Sequence, residues 1–184
     1  MNILNFSDKS NINICFTKKS GMGFFSQFEY TISLSSKNEV NPKSVLRIFP
    51  SDKIHKITKY KEDFSNYFEN DKKIIIENEY FENILSKIQN IDLIKISNIG
   101  IFYDFGSIDF EITRNNFYMK IQYIDNLNFL NECKIFKKEI ETIIELNNIY
   151  NELKNKIEYK IWYNQIAEKY NKEQDKYKLR IIDK

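Results

Sequence analysis

Apolar and polar residues alternate along Ile12-Asn13-Ile14-Cys15-Phe16 and again from Phe24 to Leu34, with Ser20-Gly21-Met22-Gly23 between the two runs. Period-2 alternation around a glycine-containing break predicts a β-hairpin. The run Val45-Leu46-Arg47-Ile48-Phe49 lies between Pro42 and Pro50. Proline cannot donate to a central ladder, so an edge strand is predicted there. After the short apolar run Ile74-Ile75-Ile76, residues Tyr80, Phe81, Ile84, Leu85 and Ile88 recur at helical spacing and predict a helix from about Glu79 to Asn90. Asp92 to Ile96 is a further apolar run. Gly106 to Thr113 and Phe117 to Tyr123 flank Arg114-Asn115-Asn116, a second hairpin whose asparagines tolerate a left-handed backbone.

From Asn126 onward the chain has neither Gly nor Pro, and Phe136, Ile140, Ile143, Leu146, Tyr150, Leu153, Ile157 and Ile161 step along one helical face. Lys137/Glu141, Glu152/Lys156, Lys154/Glu158, Glu168/Lys172 and Lys169/Glu173 are opposite charges at the helical (i, i+4) spacing. An unbroken helix from Asn126 to Tyr170 would run ~67 Å at 1.5 Å per residue, more than twice the breadth of a small domain. A break is therefore expected at Asn147-Asn148 or between Asn151 and Asn155, where asparagine can cap a second helix. Otherwise one long helix packs partly on a partner chain, and a homodimer through these helices follows. The expected fold class is α+β: an antiparallel sheet built from two hairpins packed against helices, with a long α-helical C-terminal segment. A single domain is expected, with the sheet and one or two helices in residues 1–125 and the helical segment in 126–184.

Composition narrows the function classes. The 184 residues are 42% apolar, enough for a buried core, and 28 Lys plus Arg against 26 Asp plus Glu leave a net charge of +2. No global field selects nucleic acid. Ala occurs only at Ala167, and Arg only at 47, 114 and 180, while Ile, Asn and Lys abound. An AT-rich bacterial or phage genome produces that bias, so Lys and Asn abundance carries no functional weight. Charge is nonetheless blocked locally, with a net of +5 over Lys43 to Lys61 and −5 over Glu62 to Glu82. The first residues lack a basic start and an apolar run of signal-peptide length, and no stretch approaches the ~18 apolar residues of a membrane span. A cytoplasmic location without membrane contact is expected.

Most catalytic chemistries find no residues to use. Cys15 and Cys133 sit far apart in apolar contexts with no CxxC, and read as two small buried thiols. The single histidine, His55, excludes any mechanism that needs two imidazoles. Asp104-Phe105-Gly106 spells the kinase metal-binding tripeptide without a Gly-rich or catalytic loop, and Gly21-Met22-Gly23 lacks the third glycine of a phosphate cradle. The one acidic constellation is Asp104, Asp109 and Glu111. Asp109 and Glu111 share a strand face, with Lys120 on the paired strand, an arrangement reminiscent of metal-dependent nucleases but without their acid-x-lysine spacing. The alternative is an ordinary solvent-facing set, because Ile108, Phe110 and Ile112 must point inward. No metal or cofactor is expected.

Two surfaces remain as binding candidates. Lys53, Lys56, Lys59 and Lys61 interleave with aromatic residues, and Tyr159, Trp162, Tyr163, Tyr170 and Tyr177 lie among lysines; either set could hold a nucleic-acid strand. Aromatics make up 15% of the chain, and Tyr and Trp beyond core needs favour protein interfaces.

The layout of a hairpin Ile-Cys-Phe…Gly-Met-Gly…Phe-Glu-Tyr-Thr-Ile-Ser-Leu, a helix, and Tyr-Asp-Phe-Gly-Ser-Ile-Asp-Phe-Glu-Ile-Thr followed by strand and helix resembles small bacterial immunity-type proteins over residues 12 to 150. That resemblance implies a toxin-neutralising role and carries over no functional residue. The expectation is a non-enzymatic, protein-binding inhibitor, an immunity protein or phage-encoded antagonist of a toxin or defence protein. Tyr159, Trp162, Tyr163, Tyr170, Lys53, Lys56, Lys59, Asp104, Asp109 and Glu111 are its candidate contacts. A nucleic-acid-binding module using residues 43–61 is the alternative, and a metal-dependent enzyme comes third.

Overall fold

The computed structural model describes residues 9–19, 29–39, 42–50, 71–93, 106–124, 139–166 and 168. Its strands are β1 (Ile12–Lys19), β2 (Tyr30–Ser35), β3 (Ser44–Pro50), β4 (Lys72–Ile76), β5 (Ser107–Arg114) and β6 (Phe117–Ile124). Its helices are α1 (Asn78–Asn90), α2 (Ile140–Lys156) and a further helical stretch, α3, over residues 159–166. The strands form one antiparallel sheet in the order β4-β3-β2-β1-β5-β6, so the fold is α+β.

Alternation decides which way each strand faces. Ile12, Ile14 and Phe16 of β1 pair across to Arg114, Ile112 and Phe110 of β5 and to Leu34 and Ile32 of β2. Together with Leu46, Ile48 and Tyr123 they make one apolar sheet face. The helices cover that face with Phe81, Ile84, Leu85 and Ile88 of α1 and Ile143, Leu146, Tyr150 and Leu153 of α2. Phe16 packs on Phe110 at 5.0 Å and on Tyr150 at 5.7 Å, joining the central strands to α2. A buried hydrogen bond of 2.5 Å joins the Tyr30 and Tyr150 hydroxyls. Asn78 at the start of α1 accepts from the Ser44 N–H and hydroxyl, fixing the helix against the first residue of β3.

Both predicted hairpin pairings are present, and Asn115 takes the left-handed backbone at the β5–β6 turn (φ 48°). Residues 24–28 of the predicted second strand, and residues 94–96 of the Asp92–Ile96 run, lie outside the described residues. Asp92 and Leu93 are not strand. The expected edge strand is corrected: β3 is internal, paired to β2 on one side and β4 on the other. Proline is tolerated because Pro42 precedes the strand and Pro50, opposite Tyr30, lies beyond the end of the β4 ladder. Among the described residues the edge is β4, whose unalternating Lys-Lys-Ile-Ile-Ile carries no strand signature of its own.

Helix α2 runs without a break through Asn147-Asn148 and ends just past Asn155. Glu158 then adopts a left-handed φ of 55°, and its carbonyl accepts from the Ile161 and Trp162 N–H groups as α3 begins. A β-carbon-bearing residue in that region costs about 1–2 kcal/mol. The turn also rotates the following face: Ile161, predicted inward, is 56% exposed, while Trp162 (3%) and Ile166 enter the core. The predicted pairs Glu152/Lys156 and Lys154/Glu158 give way to tertiary partners, because Glu152 reaches Lys87 of α1 at 2.7 Å and Glu158 reaches Lys72 of β4 at 2.5 Å. Residues 126–138 lie outside the described residues. Among the described residues no helix is long and apolar enough to cross a membrane.

Candidate functional site

The sheet face turned away from the helices is polar. On β1 it carries Asn13, Cys15, Thr17 and Lys19, opposite Ser35, Ser33 and Thr31 of β2 and Thr113, Glu111, Asp109 and Ser107 of β5. Short side-chain bonds tie these strands together: Thr17 to Thr31 at 2.9 Å, Ser35 to Asn13 at 2.9 Å, and Gln122 of β6 to Ser107 at 3.1 Å.

Asp109 is the centre of this face. The register sets Lys120 opposite Glu111 and Lys19 opposite Ser107, so each lysine reaches Asp109 from a different neighbouring strand. Lys19 Nζ lies 2.5 Å and Lys120 Nζ 2.7 Å from Asp109 Oδ2, and Lys120 Nζ also lies 2.6 Å from Glu111 Oε1. Two cations thus neutralise two anions. The Asp109 side chain is only 2% exposed, and its Oδ1 is buried with no hydrogen-bond partner among the described residues. The expectation that Asp109 faces solvent is therefore corrected: alternation turns it off the apolar core, but flanking lysine stems cover it. Gly106 makes part of this possible, since a β-carbon there would lie 3.1 Å from the Lys19 carbonyl and 2.8 Å from Lys18 Nζ. Glycine lets β5 start tight against the end of β1.

The electrostatics follow from this packing. Desolvation disfavours the Lys120 ammonium, but hydrogen bonds and charge from Asp109 and Glu111 outweigh it and hold its pKa above the ordinary lysine value. Burial pushes the Cys15 thiol up to about 11; the hydrogen bond from Asn13 opposes that shift and the Glu111 charge adds to it. The expectation of a buried core thiol is corrected: Cys15 is half-buried on the polar face, and Cys133 lies outside the described residues. A thiol held protonated is a poor nucleophile. Among the described residues no group of three or more His, Cys, Asp or Glu could hold a metal ion. With Lys19 and Lys120 in contact with the carboxylates, a cation at Asp109 would first have to displace an ammonium.

The other predicted contacts do not join this cluster. Trp162 and Tyr159 pack against Tyr30 on the apolar sheet face, with ring centroids at 5.8 and 5.0 Å, and Tyr163 stacks on Tyr159 at 5.3 Å. Trp162 is thus a core residue, correcting its place among surface contacts, while Tyr159 and Tyr163 are half-buried. Burial, followed by the Tyr30 hydroxyl, holds the Tyr159 phenol well above the usual tyrosine range, and burial raises Tyr163 as well. These rings and the Asp109 cluster occupy opposite faces of the sheet and cannot form one site. Lys53, Lys56, Lys59, Lys61, His55, Asp104, Tyr170 and Tyr177 lie outside the described residues.

Sequence reasoning missed two features. Lys19 shares its strand parity with Cys15 and Thr17, but its meeting with Asp109 depends on a pairing across some 90 residues of chain. On β3 and β4 the same outer face mixes apolar with basic residues, Lys73 standing opposite Arg47. Val45 stands opposite Ile75, which is 66% exposed, and the Arg47 guanidinium lies 4.8 Å above the Phe49 ring and pairs with Asp71. There is also a cleft of about 340 Å³ between α1 and α2, lined by Lys87, Asn90, Ile91, Glu145, Asn148 and Ile149 and crossed by the Lys87–Glu152 ion pair. Comparison with known protein families and with curated proteins finds no match to this chain.

Proposed function

We propose that this protein is a non-enzymatic, protein-binding inhibitor of the immunity type, and that it meets its target with the outer rim of the sheet formed by β3 and β4. The observation that carries this reading is the group formed by exposed Arg47 and Ile75 with half-buried Val45 and Phe49. It combines a guanidinium stacked on an aromatic ring with a large aliphatic side chain on a flat strand surface. Arginine and aromatic anchors surrounded by apolar area are the composition that dominates binding energy at protein interfaces. The acidic residues that would otherwise invite a catalytic reading support it from the other side, since their charge is taken up by Lys19 and Lys120.

The test is capture from cells that naturally carry the gene, followed by reconstitution with the purified partner. A stoichiometric complex is expected, weakened at least tenfold by Arg47→Ala and by Ile75→Asp and unchanged by Ile161→Asp on α3. Absence of any stoichiometric protein partner, or equal effects of all three substitutions, contradicts the proposal.

A further inference from the structure

Only Ile157 and Glu158 separate α2 from α3, and Glu158 holds a left-handed φ of 55° although it carries a β-carbon. On either side of this turn the residue pattern favours one continuous helix. Ile157 and Ile161 extend the stripe of Ile143, Leu146, Tyr150 and Leu153, and Lys154 and Glu158 stand at the (i, i+4) spacing of a helical ion pair. The turn gives both up: Ile161 is 56% exposed, and Glu158 lies 2.5 Å from Lys72 of β4 instead. What holds the chain in this arrangement is the docking of α3. Tyr159 and Trp162 pack on Tyr30 at 5.0 and 5.8 Å, the Lys154 ammonium lies 4.5 Å over the Tyr159 ring, and Ile166 is 2% exposed. Local preference and tertiary packing therefore pull against each other at one residue.

From this conflict we infer that two copies of the chain exchange α3: the turn at Glu158 opens into continuous helix, and each α3 seats on the Tyr30 surface of the other copy. What covers that surface is given by the single chain, where α3 of the same sequence already covers it. An exchanged pair remakes the packing of Tyr159, Trp162 and Ile166 one for one, so the closed and exchanged forms differ mainly at the hinge. There the exchange trades two left-handed backbones for two helical ones. It also trades the exposed Glu158–Lys72 pairs for Lys154–Glu158 pairs, both of which contribute little. A short hinge whose strain is relieved on opening is the setting in which exchange competes with the closed monomer. Loss of independent motion on association opposes it, so concentration sets the balance. The fused helix, residues 140–166, is about 40 Å long at 1.5 Å per residue. The exchange does not depend on the target-binding reading, which uses the opposite face of the sheet.

Sedimentation equilibrium of the full 22.2 kDa chain, refolded at increasing concentration and compared with two hinge variants, tests the exchange. The parent is expected to shift toward twice the monomer mass at high micromolar concentration. Glu158→Gly and Glu158→Ala both delete the Lys72 pair, so their difference isolates the backbone. Glycine suits the left-handed turn and alanine the helix, and each dimer has two hinges, so Glu158→Ala should dimerise roughly a hundredfold or more tighter than Glu158→Gly. Spin labels report the hinge directly, on cysteines placed at the exposed positions Ile144 and Ile161 in a Cys15→Ser/Cys133→Ser background. In labelled chains diluted with unlabelled ones, the two positions should lie about 26 Å apart along a straight helix in the dimer, and closer in the monomer. The buried emission of Trp162, the only tryptophan, should be common to both forms and to both variants. A parent that stays monomeric over the whole range overturns the inference. So does a Glu158→Gly variant that dimerises as tightly as Glu158→Ala, or a dimer that keeps the label separation of the monomer.

Discussion

Phe110 and Asp109 are neighbours on β5, both almost wholly removed from solvent, and they are buried for opposite reasons. Phe110 points to the helices, meets Phe16 and is held by area taken out of water. Asp109 points the other way and is tolerable there only because two ammonium groups share its Oδ2. One face of the strand is stabilised by what it excludes, the other by what it pairs. Alternation therefore tells where a side chain points, and only the neighbouring strands tell whether it stays dry.

Either face of the strand can be weakened on its own. Truncating the apolar face with Phe110→Ala should cost about 3–5 kcal/mol in urea unfolding, the range for large aromatic deletions in a packed core. Removing both cations from the polar face with Lys19→Met and Lys120→Met should cost a similar amount, roughly 3–5 kcal/mol, because a buried carboxylate is left uncompensated. A loss below about 1 kcal/mol in that double variant would show that the lysines merely decorate Asp109. Gly106→Ala acts where β5 meets β1: displacing Lys18 and crowding the Lys19 carbonyl should destabilise by about 1–3 kcal/mol.

The alkaline limb gives a smaller effect. Cys15 has its thiol pKa raised from 9.0 to about 11 in the folded chain. Folding stability linked to it is thus fully present below pH 9 and is lost as pH rises through 11, by at most about 3 kcal/mol. Lys120 acts in the same direction at higher pH, since its raised pKa contributes stability that fades above the ordinary lysine value. In a Cys133→Ser background, alkylation of Cys15 should follow an apparent pKa near 11, and Glu111→Gln should move it down by a fraction of a unit. An unshifted thiol near 9 would mean that the polar face is wet.

The apolar half of the fold was legible because it repeats locally. Ile12, Ile14 and Phe16, the α1 stripe at Phe81, Ile84, Leu85 and Ile88, and the Asn115 turn each announce themselves within a few residues. The polar half was not, because its partners come from different strands. Asp109 and Lys120 could be paired from the β5–β6 hairpin, but Lys19 enters only through the β1–β5 ladder, and nothing local in β1 points to it. The break falls just past the Asn151–Asn155 window in which one is expected: α2 ends at Lys156 and the Glu158 N–H bonds to the Asn155 carbonyl, but the left-handed turn at Glu158 was not legible, because Ile157 to Ile161 continues the helical spacing that it abandons. The internal position of β3 was hidden because its outer neighbour, β4, has no alternation to read.

The most direct test of the Asp109 cluster is a stability comparison of the Lys19→Met/Lys120→Met variant with the variant that also carries Asp109→Leu. If the lysines are there to compensate one buried carboxylate, removing that carboxylate as well should restore most of the lost 3–5 kcal/mol or so. A triple variant no more stable than the double would contradict the account, because it would place the value of Lys19 and Lys120 somewhere other than Asp109.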